Sequence, residues 1–167
     1  TNYNEMEQVA HVRNDRALEL GALMARATIY STPTMRFDPT HARRLSENAL
    51  ELARTLPDRA AEAKILWNMM LLSHYSARYD DAIAYGNQAI ALARALDLRE
   101  QLAFALNDIS RVYFMQSLAE QGIAAATEAG SLWRLLDNKP MLADNLNTLA
   151  TFFANAGENE RALTLTD

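Results

Sequence analysis

The chain has 167 residues, half of them hydrophobic, and a net charge of −5. It is long and apolar enough to bury the core of about one domain, whereas its acidity disfavours binding to nucleic acid or to anionic membranes. It has no Cys, which excludes disulfides, thiolate metal sites and a Cys nucleophile. No apolar run approaches the ~20 residues of a membrane span, and no signal peptide is evident. We therefore expect a soluble protein of the cytoplasm.

Apolar residues recur with helical spacing along the whole chain, and only 5 Gly and 4 Pro interrupt them. This pattern predicts an all-α fold with at least six antiparallel helices and no strand. The predicted helices cover residues 3–13, 16–31, 39–56, 59–77, 80–96, 98–116 and 118–136, followed by one that Pro140 opens and a shorter last one. Residues 32–38 form the one expanded loop between them.

Polar residues with a preference for helix starts precede several of these helices. Asp38 followed by Pro39 and Asn138 followed by Pro140 are typical of a capped start, and Gly157 suits the position after a helix end. The spacing of Asp97 and Glu100, and of Ser117 and Glu120, predicts two capping boxes. The remaining predicted N-caps are Asp58 and Asp80.

The apolar pattern repeats with a lag of 40 residues, so that Leu66, Leu106 and Leu146 are in step. A fixed period of this size indicates a solenoid, in which each unit buries its apolar face against its neighbours. We predict one repeat domain over residues 1–167, with a partial unit at 1–14, repeats at about 15–57, 58–97 and 98–137, and a truncated repeat at 138–167. We expect the chain to be a fragment of a longer protein.

The spacing of Leu106, Ile109, Ser110, Tyr113 and Gly122 resembles the tetratricopeptide repeat. That resemblance implies an α-solenoid of antiparallel helix pairs with a right-handed superhelical twist. The 40-residue period, longer than the usual ~34, is similar to that of the repeats in large bacterial signalling ATPases and transcriptional activators. In that family the repeats receive a partner or a small effector and control another domain.

The resemblance also implies that the first helix of each pair lines a concave groove. In mid-helix, Asn and Asp compete with backbone hydrogen bonding and are poor choices unless something uses them. We predict that this face forms a partner-binding groove and that its polar residues contribute little to the stability of the fold. The alternative is a solvated face on which Asp108 pairs with Arg111. The predicted groove residues are Trp67, Asn68, Leu71, His74, Asn107, Asp108, Arg111, Asn147 and Thr151.

Nothing in the sequence places a nucleophile beside a base, so we expect no enzyme, no catalytic residue and no cofactor. His11, His41 and His74 lack metal-ligand spacing, and we expect no metal site. Trp133 stands where the other repeats have Ala, which predicts that it fills a gap in the core. Met69 and Met70 are predicted to be core residues.

The leading hypothesis is a protein-interaction module whose groove binds a peptide or a partner domain, within a larger bacterial regulator of signalling or transcription. The alternatives are a small-effector sensor, for which the expanded loop is the one unusual feature, and a passive spacer. We also expect self-association through the C-terminal end. There a short last helix, with Leu163 and Leu165, is predicted to leave Leu146, Leu149 and Phe153 uncovered.

Overall fold

The computed structural model describes residues 2–164, and this part of the chain consists of nine helices without a strand. The prediction of an all-α fold is confirmed. None of the described helices is both long and apolar enough to cross a lipid bilayer. The helices are α1 (Asn2–Arg13), α2 (Arg16–Ser31), α3 (Pro39–Thr55), α4 (Arg59–Tyr75), α5 (Tyr79–Ala95), α6 (Arg99–Met115), α7 (Ala119–Leu135), α8 (Lys139–Asn155) and α9 (Asn159–Thr164).

The chain forms two compact units, Thr1–Leu92 and Ala93–Asp167, and the division falls within α5. In the first unit α2 packs against α1, α3 and α4. In the second unit α7 packs against α6 and α8, and α9 packs against α8. Each unit is therefore an array of helix pairs in which neighbours in sequence are neighbours in space, which confirms the predicted solenoid of helix pairs.

The turns that follow α3 recur at a constant interval. Each of them contains one residue with positive φ, and these residues are Pro57, Ala77, Asp97, Ser117, Asp137 and Gly157. At such a turn the N–H of Leu98 donates to the carbonyl of Ala93 at 2.9 Å, and the N–H of Asp97 donates to that of Arg94 at 3.3 Å. This pair of bonds satisfies the last carbonyls of the helix in a Schellman motif.

The prediction of capping boxes at Asp97 and Ser117 is wrong, as is the prediction of an N-cap at Asp80. Asp97 and Ser117 are the left-handed residues of their turns. The N-caps are Leu98 and Leu118, which make no side-chain capping hydrogen bond. Apolar residues suit this position because it also ends the Schellman motif, where an apolar contact with the preceding helix is favoured. Asp80 lies inside α5.

The other predicted caps are confirmed. A side-chain oxygen of Asp38 accepts from the N–H of His41 at 3.0 Å. Asp58 and Asn138 accept in the same way, at 2.9 and 3.2 Å, from the backbone N–H groups three residues ahead. Gly157 has φ +80°, a conformation that glycine adopts at little cost.

Small residues in step permit close packing of the paired helices. Ala42 and Ala82 are fully buried, and a Cβ at Gly122 would lie 3.0 Å from the carbonyl oxygen of Ser110. Trp133 is also fully buried, with its ring edge-on to Phe104 at 4.8 Å, so its prediction as a core filler is confirmed. Met69 and Met70 are core residues, as predicted.

Two of the three residues predicted to form an exposed apolar C-terminal face are buried. Leu149 and Phe153 are buried in a cluster with Ala126 and Phe152, against which Ala162 of α9 packs. The guanidinium of Arg161 also covers the ring of Phe153 at 4.1 Å. The premise for self-association therefore fails for Leu149 and Phe153, whereas Leu146 is half-buried and Leu163 is exposed. Self-association itself stays a prediction, and Leu165 lies outside the described residues.

Candidate functional site

The predicted groove residues of the first unit lie on α4, and two of them are inside the protein. Asn68 and Leu71 are buried, whereas Trp67 and His74 are half-buried. The side-chain amide of Asn68 donates to the hydroxyl of Thr28 on α2 at 2.9 Å. The Asn68 amide therefore links α2 and α4, the first helices of two successive pairs, through a partly buried hydrogen bond.

In the second unit Asn107 on α6 is also buried and belongs to a polar network with α8. The side-chain N–H of Asn145 donates to the Oδ1 of Asn107 at 3.0 Å and to the carbonyl of Ala126 at 2.9 Å. The Nδ2 of Asn107 lies 3.5 Å from a carboxylate oxygen of Asp144. Asn107 and Asn145 thus tie α6 to α8, and to α7 through Ala126.

The prediction that Asn68 and Asn107 face an open groove is therefore corrected, because both amides are enclosed and hydrogen-bonded between first helices. Buried amides cost free energy unless they are paired, and a partner on the neighbouring helix supplies that pairing. These two residues hold first helices together within their units and are not exposed to a ligand.

This network was only partly predicted from the sequence. Asn107 and Arg111 were expected to be site residues, whereas Asn145 was not singled out. Its signal was available, since Asn145 is in step with Ile65 and Ala105, two buried apolar residues. A polar residue at a core position requires a partner. Asp144 was also missed, because its role depends on the side chains that reach it from α6.

Arg111 extends the same network to the surface of the second unit. Its Nη2 donates to Asp144 at 2.6 Å and to the hydroxyl of Thr148 at 3.1 Å, and its Nη1 lies 3.7 Å from Asp108. The predicted pairing of Asp108 with Arg111 is present. Because three groups on two helices hold the half-exposed guanidinium, its position is largely fixed before any ligand arrives.

The contact between Arg111 and Thr148 has a counterpart in the first unit. By the repeat register Arg111 is in step with Thr28, and Thr148 is in step with Asn68. The polar contact between Thr28 and Asn68 therefore occupies the same two repeat positions as that between Arg111 and Thr148. The same two repeat positions therefore form a polar contact between first helices in both units, but with different side chains.

The exposed polar side chains of α8 form a line along one helix face. Asn147, Thr151 and Asn155 are exposed, and their spacing of four residues places them one above the other. Thr151 donates its hydroxyl to the carbonyl of Asn147 at 2.9 Å, and Asn155 donates its amide to that of Thr151 at 2.9 Å. We call Arg111 with these three residues the α6–α8 face.

The first unit contains an open cavity of about 400 Å³ between α1, α2 and α3. Two of its carboxylates are already compensated, because Glu7 pairs with Arg26, and Glu19 lies 3.4 Å from Arg16. The lining is of mixed charge and consists of Glu7, His11, Arg16, Glu19, Leu23, Asn48, Glu51, Leu52 and Thr55. Among residues 2–164, no three His, Asp or Glu side chains are arranged to hold a metal ion.

No protein-family model matches the chain, and no curated protein matches its sequence. Its fold is shared by a number of solved structures, which include the following two. One is BtubC (BKLC) from P. vanneervenii, with a TM-score of 0.78 and 18% identity, covering 90% of this chain and 61% of that one. The other is a Signal Transduction ATPase with Numerous Domains from Pyrococcus horikoshii, described as having a tetratricopeptide repeat sensor.

The second comparison gives a TM-score of 0.77 at 16% identity and covers 96% of this chain but 25% of the other. The chain thus spans less than two thirds of the length of either similar protein. The predicted resemblance to tetratricopeptide-like repeats, including those of large signalling ATPases, is confirmed at the level of the fold.

Proposed function

We propose that this chain is a non-catalytic regulatory module that binds an extended segment of a partner protein along the α6–α8 face. In this proposal it belongs to a larger bacterial regulator of signalling or transcription and acts in the cytoplasm. Its fold is similar to that of a protein with a tetratricopeptide repeat sensor. The observation that carries the proposal is the fixed, half-exposed guanidinium of Arg111 beside the exposed line of polar side chains on α8.

The chemistry of the α6–α8 face suits a peptide backbone. An exposed Asn amide offers both a donor and an acceptor, as a peptide unit does. The guanidinium of Arg111 has five N–H donors in all, so its bonds to Asp144 and Thr148 leave others for a ligand carbonyl or carboxylate. Because Arg111 is held in place, a ligand there loses less affinity to side-chain ordering than it would at a free arginine.

The test is selection of short random peptides displayed on phage against the folded chain. Peptides bound at the α6–α8 face should lose about tenfold in affinity, or more, when Arg111→Gln, Asn147→Ala and Thr151→Ala are combined, since each lost bond costs about 1 kcal/mol. The matched control combines Gln121→Ala, Thr127→Ala and Ser131→Ala on exposed positions of α7, where Thr127 and Ser131 make the same back-bonds as Thr151.

The proposal is wrong if no selected peptide is sensitive to the α6–α8 substitutions, or if the α7 substitutions weaken the same peptides equally. Failure to select any peptide would favour the spacer hypothesis. In each case the melting temperature of the variant is measured first, so that unfolding is not mistaken for lost binding.

A second candidate function, sensing of a small effector, is favoured by the cavity in the first unit. Its volume and mixed charge suit a small polar molecule. A thermal-shift screen with metabolites tests it, and a hit should be lost in Asn48→Ala with Glu51→Gln, two lining residues on α3. A hit that these substitutions leave unchanged would place the effector elsewhere.

A further inference from the structure

The expanded loop of the first unit and the start of α3 carry positive charge that no ion pair within residues 2–164 compensates. Arg36, Arg43 and Arg44 form no ion pair with any residue in 2–164, although the chain is acidic. Most other arginines of the described chain are paired with carboxylates. Examples are Arg54 and Arg59, which both bind Glu62, at 3.0 and 2.7 Å.

Apolar and aromatic side chains lie in the same loop as Arg36 and at the end of α4. Met35 precedes Arg36 in the loop that connects α2 to α3, and its side chain is fully exposed. Phe37 is half-buried with its ring edge-on to that of Tyr75, at 6.5 Å between centroids, and Tyr75 is itself exposed. We call the set of Met35, Arg36, Phe37, Arg43, Arg44 and Tyr75 the loop patch.

Backbone hydrogen bonds hold the loop in one closed conformation. The N–H of Asp38 donates to the carbonyl of Tyr30 at 3.2 Å, across the base of the loop, and the N–H of Phe37 donates to that of Thr34 at 3.0 Å. The N–H of Arg36 donates to the hydroxyl of Thr34 at 3.2 Å. Arg36 and Met35 are therefore displayed from a backbone that is already ordered, which lowers the entropy cost of binding through them.

Arg44 contacts His41, which in turn lies near Arg26. Its Nη2 lies 3.1 Å from the Nδ1 of His41, whose Nε2 lies 3.5 Å from the guanidinium of Arg26. Glu7 compensates Arg26, whereas Arg44 is left without a carboxylate among the described residues. A ligand carboxylate would supply that missing charge.

We propose that the loop patch is a second interaction surface, which binds an acidic peptide segment carrying an aromatic or aliphatic side chain. The carboxylates of the segment pair with Arg36, Arg43 and Arg44, and its apolar side chain packs on Met35 and the rings of Phe37 and Tyr75. Three arginines suit a short acidic segment, while the net charge of −5 repels long polyanions and anionic bilayers. The proposal does not depend on the α6–α8 face.

The loop is not needed to join its helices, because the later turns of the array connect α4 to α5 and α6 to α7 with three residues each. Residues 32–38 instead place seven residues between α2 and α3. Chain that packing does not require is a common location for binding residues.

The test is selection of random phage-displayed peptides against the whole chain, followed by fluorescence anisotropy of the synthetic peptides. Selected sequences should be enriched in Asp and Glu next to Phe, Trp or Leu, and added salt should weaken their binding. Combining Arg36→Gln, Arg43→Gln and Arg44→Gln should weaken them by about tenfold or more, since each exposed ion pair contributes up to ~1 kcal/mol. The control, Arg134→Gln, removes an exposed arginine of the second unit that forms no ion pair within residues 2–164, and it should have no effect.

Two further measurements keep the test decisive if the triple variant is unstable. Met35→Ser removes a fully exposed side chain, should leave the melting temperature unchanged, and should still weaken the acidic peptides. Vesicles of phosphatidylglycerol and single-stranded DNA serve as polyanion probes and should not bind.

The proposal is overturned if the selected peptides show no acidic enrichment, if none is selected, or if the arginine and Met35 variants bind them as tightly as the original chain does. It is also overturned if vesicles or DNA bind through the three arginines and acidic peptides do not. None of these outcomes changes the expected effect of substitutions on the α6–α8 face.

Discussion

Asn107 acts through a single side-chain oxygen that accepts the amide of Asn145 in the interior of the second unit. Replacing Asn107 by Ala removes that acceptor and leaves a donor of Asn145 unpaired and enclosed. We expect Asn107→Ala to lower the free energy of unfolding by about 1–3 kcal/mol, the cost of an unsatisfied buried polar group. The midpoint of urea unfolding measures the effect.

The matched control is Asn147→Ala on α8, because Asn147 is exposed and Ala has the higher helix propensity. Its unfolding free energy should stay within about 0.5 kcal/mol of the original. Equal effects of the two substitutions would contradict the buried network. The sequence predicted that neither residue matters for stability, and the burial of Asn107 reverses that expectation for one of them.

Gly130 makes room for the side chain of Asn145. A Cβ at Gly130 would lie 2.5 Å from the Oδ1 of Asn145, which has no hydrogen-bond partner among the described residues. Gly130→Ala should therefore destabilise the chain by about 1–3 kcal/mol through overpacking, despite the better helix propensity of Ala. Thermal unfolding followed by circular dichroism measures it.

Gly21→Ala is the comparison, because its Cβ would meet only the flexible end of Met6, at 3.2 Å. That substitution should be neutral or stabilising by up to ~1 kcal/mol, as expected for Gly to Ala within a helix. A Gly130→Ala variant as stable as Gly21→Ala would show that Asn145 does not occupy this space.

At the scale of one helix pair, packing depends on small residues at one repeat position. Ala82 of α5 is fully buried and in step with Ala42 and Gly122. Ala82→Leu should destabilise by about 1–3 kcal/mol, because the added methylene groups have no space. Ala84→Leu, on an exposed position of the same helix, should change stability by less than about 0.5 kcal/mol. Urea midpoints that coincide for the two variants would refute the register.

The turns between helices offer a test in which a substitution is expected to stabilise the fold. Ala77 is exposed and has φ +55°, a conformation that costs residues with a Cβ about 1–2 kcal/mol. We expect Ala77→Gly to stabilise by about 0.5–1 kcal/mol, part of the gain being offset by the entropy of the unfolded glycine. Ala84→Gly, inside α5, should destabilise by about 1 kcal/mol. A lower melting temperature for Ala77→Gly would contradict the left-handed turn.

The sequence predicted most element boundaries to within two residues, because helix starts at Asp38, Asp58 and Asn138 have residues that only a start explains. It failed at Asp97 and Ser117, where a polar residue suited two adjacent roles, the end of one helix and the cap of the next. The Schellman turn resolves this competition in favour of the first role. Local propensity does not contain that information, since it depends on the following Leu98 and Leu118.

At the scale of the whole chain, the 40-residue lag predicted the helix-pair array because each repeat has the same packing requirement. The site was predicted less well. Asp108 and Arg111 are half-buried and Asn147 is exposed, and their role in binding stays a prediction. A one-dimensional pattern does not distinguish a polar residue facing a ligand from one facing the next helix. Asn68 and Asn107 belong to the second kind, as their buried bonds to Thr28 and Asn145 show.

A repeating pattern of helix and turn organises the chain. Amide hydrogen exchange, resolved by residue in the native protein, tests it most directly. Slow exchange is expected in the interiors of α2 to α8, interrupted by fast exchange at the helix starts that follow residues 77, 97, 117 and 137. Slow exchange that continues through those turns, or fast exchange throughout α6 and α8, would contradict the account.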